Sequence, residues 1–241
     1  MWVIILLWLS SYGLHYVLFC ALACSTMVMI QGLTVQADAS NRLKISPSAR
    51  FEGSRIMISG HGCNVSVGSA RIYRGLLIHL DGNHKHVEIG DTDDHIINLK
   101  VLSQRGEGQS AVIGTGLRCN GMEIQMTDGN AAFRMGNDCM ASWGVKIRTS
   151  DGHAIIDIAS GKAINIPQDV VIGDRVWLCE DIKILKGVLI PSDTIIASGS
   201  VIARPFGPED SCSVIGGCPG RVLKRGVRWD KRSPSEINAL V

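Results

Sequence analysis

The sequence predicts an all-β solenoid: a parallel left-handed β-helix of triangular cross-section, preceded by an apolar helix and followed by a short C-terminal extension. Three observations carry this expectation. From residue 172 the chain reads in sixes (IGDRVW, LCEDIK, ILKGVL, IPSDTI, IASGSV), with aliphatic residues at Ile172, Leu178, Ile184, Ile190, Ile196 and Ile202. A second set, Val170, Val176, Ile182, Val188, Thr194 and Ser200, precedes each by two. Residues two apart share one face of a strand, whereas an amphipathic helix repeats at three and four. The gaps hold turn formers such as Gly173-Asp174, Pro191-Ser192-Asp193 and Ser198-Gly199. Three strands and three turns close a coil of about 18 residues, and stacked coils bury each other's open edges.

In chain order, the first element is charge-free. No Lys, Arg, Asp or Glu precedes Asp38, so the 24 Lys+Arg and 22 Asp+Glu all lie from that residue onward. Residues 2–30 are long and apolar enough to span a bilayer as a helix, with Trp2, Trp8, Tyr12 and Tyr16 as interfacial rings. The cations that follow, Arg42, Lys44, Arg50 and Arg55, put the next domain on the cytoplasmic side. Two other readings stand beside this membrane anchor. One is a signal peptide cleaved near Ala37-Asp38-Ala39, which lacks a basic leader; the other is an unused upstream start, with Met27 or Met29 nearer the true beginning. The chain thus divides into residues 1–37, a solenoid over 45–207 and an extension over 208–241.

Weaker forms of the repeat run upstream. Met135, Ala141 and Ile147 recur in sixes, and Val67-Gly68, Ile89-Gly90 and Ile113-Gly114 share an aliphatic-Gly step. Seven or eight coils are expected. The 27 glycines against 5% aromatic residues fit many tight turns. A net charge of +2 with mixed signs leaves no basic stripe for nucleic acid. The eight cysteines form no CxxC pair, which points to reduced, buried thiols of a cytoplasmic protein.

The repeat breaks after Ile147, because its phase would carry Asp151 and His153 into the interior at a cost of several kcal/mol. The interval to Ile172 exceeds one coil by about seven residues, so a loop of that size is expected within 151–169. Trp177 lies between inward Val176 and Leu178 and must point outward. Its outward neighbours Val171, Leu189, Ile195 and Val201 are apolar, and a partner subunit is the simplest cover. Removing the extruded residues brings His153 and Trp177 about one coil apart, stacked on one side near a subunit cleft. Beyond the prism, Ser233-Pro234-Ser235-Glu236 has the form of a helix start.

Four runs carry a resemblance: Ser150-Asp151-Gly152-His153, Gly173-Asp174-x-Val176-Trp177, Leu185-Lys186-Gly187 and Ser198-Gly199-Ser200-Val201. They resemble the hexapeptide-repeat acyltransferases, in particular the O-acetyltransferases of bacterial capsular polysaccharides such as polysialic acid. The resemblance covers about residues 135–225, and GHGCNVSVG and DGNHKHVEIGD look like earlier coils of the same group. It implies an acetyl-CoA-dependent O-acetyltransferase acting on a sugar hydroxyl, a homotrimer with its sites between subunits, a glycan acceptor and no metal. It also implies His153 as general base, a role suited to imidazole, and Trp177 in the catalytic cleft as an oxyanion donor. Asp151 or Asp157 can orient the imidazole. For acetyl-CoA, Ala197-Ser198-Gly199-Ser200 lets the pantetheine arm approach backbone, and Lys224 and Arg225 are candidate phosphate contacts. The chain departs from the family at Gly217-Cys218-Pro219-Gly220, where a Gly-Asn-Pro-Ala step is usual. An acetyl-CoA reaction places the prism in the cytoplasm, tethered through residues 2–30 if that segment is used.

Two other function classes fit parts of the sequence. His79, His84, His86 and His95 suggest a zinc site like that of the γ-type carbonic anhydrases, with imidazoles on adjacent turns meeting a tetrahedral ion. A non-catalytic β-helical scaffold would need only the repeat.

Overall fold

Val35, Ile56, Ile78, Val101, Ile124, Ile147, Ile184 and Ile202 lie in register, each on the strand directly above the last. All eight are buried. In the computed structural model, which describes the backbone of residues 8–10, 13–15, 17–18 and 26–239 and the side chains of 29–239, this column lines the first of three parallel faces. The second face carries the column Ile45, Val67, Ile89, Ile113, Met135, Ile172 and Ile190. The third carries Phe51, Tyr73, Ile96, Cys119, Ala141, Leu178, Ile196 and Ile215. Seven full turns and part of an eighth stack into a three-sided prism. Cutting one such isoleucine to alanine costs roughly 2–5 kcal/mol, because a stack clamped above and below cannot collapse around the void.

The prism is the expected all-β solenoid, with two differences of dimension. An unbroken run of six-residue steps over several coils holds only from Ile172 to Ile202. Below them successive rungs, such as Ile56, Ile78, Val101, Ile124 and Ile147, are 22 or 23 residues apart. There the strands are longer (Met122–Met126, Leu99–Ser103) and the corner from the first face to the second is wider. Parallel pairing also starts earlier than residue 45: Leu33–Ala37 pairs with Ser54–Ile58 and buries Leu33, Val35 and Ala37.

The corners explain the aliphatic-Gly steps. Gly68, Gly90, Gly114 and Gly136 stack where the second face turns into the third. A Cβ on Gly114 would sit 2.8 Å from the Gly136 backbone. Side chains cap this column from the turn above: Asn137 Oδ1 accepts from Thr115 N at 2.9 Å, and Asp174 Oδ1 from Asn137 N at 2.7 Å.

Most of the apolar helix expected over residues 2–30 lies outside the described residues. The described stretches there, Trp8–Ser10, Gly13–His15, Val17–Leu18 and Thr26–Ile30, are strands, the last paired antiparallel with Leu33–Ala37. No helix among the described residues is long and apolar enough to cross a membrane. Past the prism, Ser213–Gly216 and Arg221–Arg225 form an antiparallel hairpin. The helix Pro234–Asn238 begins where expected, with Ser233 accepting from Glu236 N and Glu236 reaching back in a capping box. Of the cysteines described, Cys63, Cys119 and Cys139 are buried thiols and Cys179 is half-buried, while Cys212 and Cys218 are exposed. Burial pushes Cys119 and Cys139 up to about 12, so neither is a thiolate at neutral pH.

The interior also holds a lysine, beside buried polar neighbours such as Ser103 and Gln109. Lys85, fully buried at the corner between the first and second faces, donates from Nζ to Ser103 O at 3.0 Å and makes no ion pair among the described residues. Burial lowers its pKa. The unfolded chain therefore holds a proton that the folded chain sheds, and stability rises with pH between the lowered value and about 10.4, the ordinary lysine value. Lys85→Met should remove that rise. Denaturant melts of both proteins between pH 7 and 10.5 check it: the wild type should gain on the variant as pH climbs, and parallel curves would contradict it.

Candidate active site

The loop that interrupts the prism is an enlarged corner. Where the first face turns into the second, the lower coils use residues 59–63, 81–85, 104–109 and 127–131, and the next uses 149–169. Ile147 and Ile172 are therefore not one coil apart but on successive faces of the same coil, and the extrusion is about twice the expected seven residues. Its tip is a small hairpin, with Ile156 bridged to Ala163 and Ile164 N donating to Ile155 O at 2.9 Å.

Polar contacts clamp the loop's base. Lys186, from the same corner one coil higher, pairs with Asp151 and donates to Asn165 O at 2.9 Å. Asn165 Nδ2 donates to Asp151 Oδ2 and to His153 O, both at 2.8 Å. From below, Arg105 donates to Gly152 O at 2.6 Å. The Lys186 hydrogen bond holds the Asp151 carboxyl below the usual carboxylate range. Asp151 is thus spent on the clamp, and Asp157 accepts from Ser160 instead; neither carboxylate reaches the His153 ring. His153 is held by its backbone, and its exposed imidazole hydrogen-bonds no group among the described residues.

Trp177 occupies the third face, across the prism from the vertex that carries His153. It pairs with Met140 below and Ile195 above, so the two residues do not stack within one chain. Trp177 does point outward, but its cover is the chain's own C-terminal strap. Trp229 packs on it with ring centroids 6.2 Å apart, anchored by Nε1 donating to Arg175 O at 2.6 Å. Lys231 ties the strap to Asp94 at 2.9 Å.

The candidate coenzyme residues fall at the top of the prism. Ala197–Ser200 form the turn from the third face to the first, and beside Gly199 (φ +71°) the space is open. Ser200 is buried; its hydroxyl donates to Ala197 O at 2.5 Å and accepts from Gly217 N at 3.1 Å. Arg225 is engaged with Asp210 at 2.6 Å, while Lys224 on the same strand is exposed and makes no ion pair among the described residues. The histidines of the zinc reading are dispersed. His79 pairs with Asp81, His86 with Glu88 on another face, and His95 with Asn120 on the third. Among the described residues no three His, Cys, Asp or Glu side chains come together as a metal site.

Comparison with known proteins places this architecture. No protein-family model matches the chain. A polysialic acid O-acetyltransferase of Neisseria meningitidis is 28% identical over 148 residues, 61% of this chain and 67% of that protein. A polysialic acid O-acetyltransferase of Escherichia coli O1:K1 / APEC is 27% identical over 130 residues. The chain is a hexapeptide-repeat solenoid related to the polysialic acid O-acetyltransferases. The match to the E. coli relative takes in 54% of this chain but only 39% of the relative's length. The crystal structure of the polySia specific acetyltransferase NeuO has the same fold, with a TM-score of 0.70 at 23% identity over 88% of this chain and 90% of that one.

Within this solenoid the residues that sequence reasoning missed are Lys186 and Asn165 as loop anchors, Arg105 beneath them, and Trp229 over Trp177. Asn165→Ala removes the hydrogen bonds to both Asp151 and His153. Limited proteolysis should then cut within residues 154–164 several-fold faster, with the global melting temperature unmoved. Unchanged cleavage would contradict the clamp.

Proposed function

We propose that this chain transfers an acetyl group from acetyl-CoA to a hydroxyl of a sugar in a surface or capsular polysaccharide, with His153 as general base. The observation that carries the reading is an exposed imidazole with no hydrogen-bond partner among the described residues, on a loop base fixed by Lys186, Asn165 and Arg105. The relatives' activity, O-acetylation of polysialic acid, supports the same chemistry. In this reading His153 takes the proton as the acceptor oxygen bonds to the thioester carbon. The C–S bond then breaks, and the leaving thiolate recovers the proton from the imidazolium. The intermediate oxyanion requires N–H donors, among which we place the Trp177 indole. Ala197–Ser200 and Lys224 form the coenzyme wall.

We assign the working assembly as a homotrimer. His153 and Trp177 stand on opposite sides of one prism, so a second copy must bring its third face to the loop for both to meet one acetyl group. The loop has the surface for such a contact: Ile155, Ile156, Ile164 and Ile166 are 56–64% exposed and Ile158 is 99% exposed. Isoleucines left in water at this density call for a cover. With acetyl-CoA as donor, the reaction belongs in the cytoplasm.

His153→Ala should lower acetyl transfer by about 10²–10⁴-fold, with circular dichroism and melting temperature unchanged because the side chain supports no described contact. Free CoA release from acetyl-CoA in the presence of a polysialic acid acceptor is the readout. Near-full activity in the variant would overturn the assignment.

A further inference from the structure

Between Trp177 and the C-terminal strap lies a cleft of about 530 Å³, walled by Trp177, Ile195, Val214, Trp229 and Ile237 and rimmed by Arg228. Trp229 Nε1 donates to Arg175 O at 2.6 Å, and Trp177 Nε1 is directed at Ser142 Oγ through a long contact of 3.4 Å that the oxyanion of the proposed reaction would replace. What the two tilted rings offer the cleft is therefore carbon. Flat aromatic carbon suits the C–H face of a pyranose, and two rings 48° apart can grip a sugar rather than lie under it.

Most of the charges around this cleft and the one adjoining it are paired off; among the described residues Arg228 and, in the adjoining cleft, Asp138 are not. Arg175 holds Asp193 through two hydrogen bonds of 2.7 and 2.8 Å, Arg232 holds Asp230 through 2.9 and 2.8 Å, and Lys231 holds Asp94. Arg228 makes no hydrogen bond and no ion pair among the described residues. Its charge helps to keep the Asp193 and Asp230 carboxyls low, after their own arginine partners. Arg228 also borders the adjoining cleft with Asp138, Asp193 and Trp229, so it stands where the two clefts meet. A free guanidinium fork beside aromatic carbon matches a carboxylate on a ring.

We propose that this cleft is an acceptor subsite for an acidic sugar, in which Trp177 and Trp229 stack on the pyranose and Arg228 takes its carboxylate. The proposal rests on the acetyltransferase reading and assigns the side chains that would recognise a carboxylate on the sugar to be acetylated or on its neighbour. It gives the strap a purpose, since residues 226–239 cross the third face and build one wall of the cleft that Trp177 alone leaves open.

The test is calorimetric titration of the full-length protein with sialic acid oligomers, and with the same oligomers after reduction of their carboxyls to hydroxymethyl groups. Arg228→Gln should weaken the acidic oligomer by roughly tenfold or more and leave the reduced one unaffected. Arg228→Lys should recover only part of the loss. Trp229→Ala should weaken both oligomers equally. CoA affinity, titrated separately, should be the same in wild type and Arg228→Gln. Equal affinity of Arg228→Gln and wild type for the acidic oligomer would overturn the proposal, as would a wild type that binds neither oligomer. Loss of CoA rather than glycan in Arg228→Gln would assign the cleft to the nucleotide and also overturn it. Arg228-dependent glycan binding with no CoA release from acetyl-CoA would instead sink the transfer reading and leave the subsite standing.

Discussion

Each strand of the prism hydrogen-bonds only to the strands directly above and below it, and every other feature of the molecule is arranged around that dependence. A rung that lost register would strand its own backbone groups and those of two neighbours, so the three interior columns are filled by apolar residues that stack: Ile, Val and Leu for the most part, with Met135, Cys119 and Ala141 among them and Phe51 and Tyr73 in the lower coils. Variation is confined to the corners and the outer surface. Insertions, charges and chemistry accordingly collect at the three vertices and on the strap. The loop carrying His153 is the largest case, seated on Arg105 from a lower coil and held by Lys186 from the coil above.

This dependence also explains what the sequence discloses. The hexads from Ile172 to Ile202 are legible because their coils carry minimal corners, so chain spacing equals spatial spacing. In the lower coils one corner, from the first face to the second, adds residues of its own. The columns then recur at 22 or 23, and the six-residue signal survives only as fragments such as Met135, Ala141 and Ile147. The loop was locatable because Asp151 and His153 cannot be inward. Its length was misjudged because the fixed 18-residue coil hid the fact that Ile147 and Ile172 are neighbours around one turn. That error also placed His153 beside Trp177, when the register sets Trp177 over Met140.

The strap left no periodic trace. Its helix start was readable from the Ser233–Glu236 capping box, but nothing local says where residues 226–232 lie. They are placed by long-range contacts, Trp229 to Arg175 and Lys231 to Asp94. A tryptophan set among Arg228, Lys231 and Arg232 was the available clue, since a large ring in a charged segment needs a surface to lie on. The consequence for function is that the outward face of Trp177 belongs jointly to the prism and the strap, while the base proposed to act with it stands on the opposite vertex. In the proposed reading, a catalytic unit so divided would be complete only between copies of the chain.

That division is the account's central claim, and subunit complementation tests it most directly. Two variants, His153→Ala and Trp177→Ala, are each made inactive, then mixed in equal amounts, unfolded and refolded together. If one copy supplies the histidine and its neighbour the tryptophan, about one site in four regains both groups under random mixing, and acetyl transfer should return to roughly a quarter of the wild-type rate. A mixture no more active than either variant alone would contradict the account.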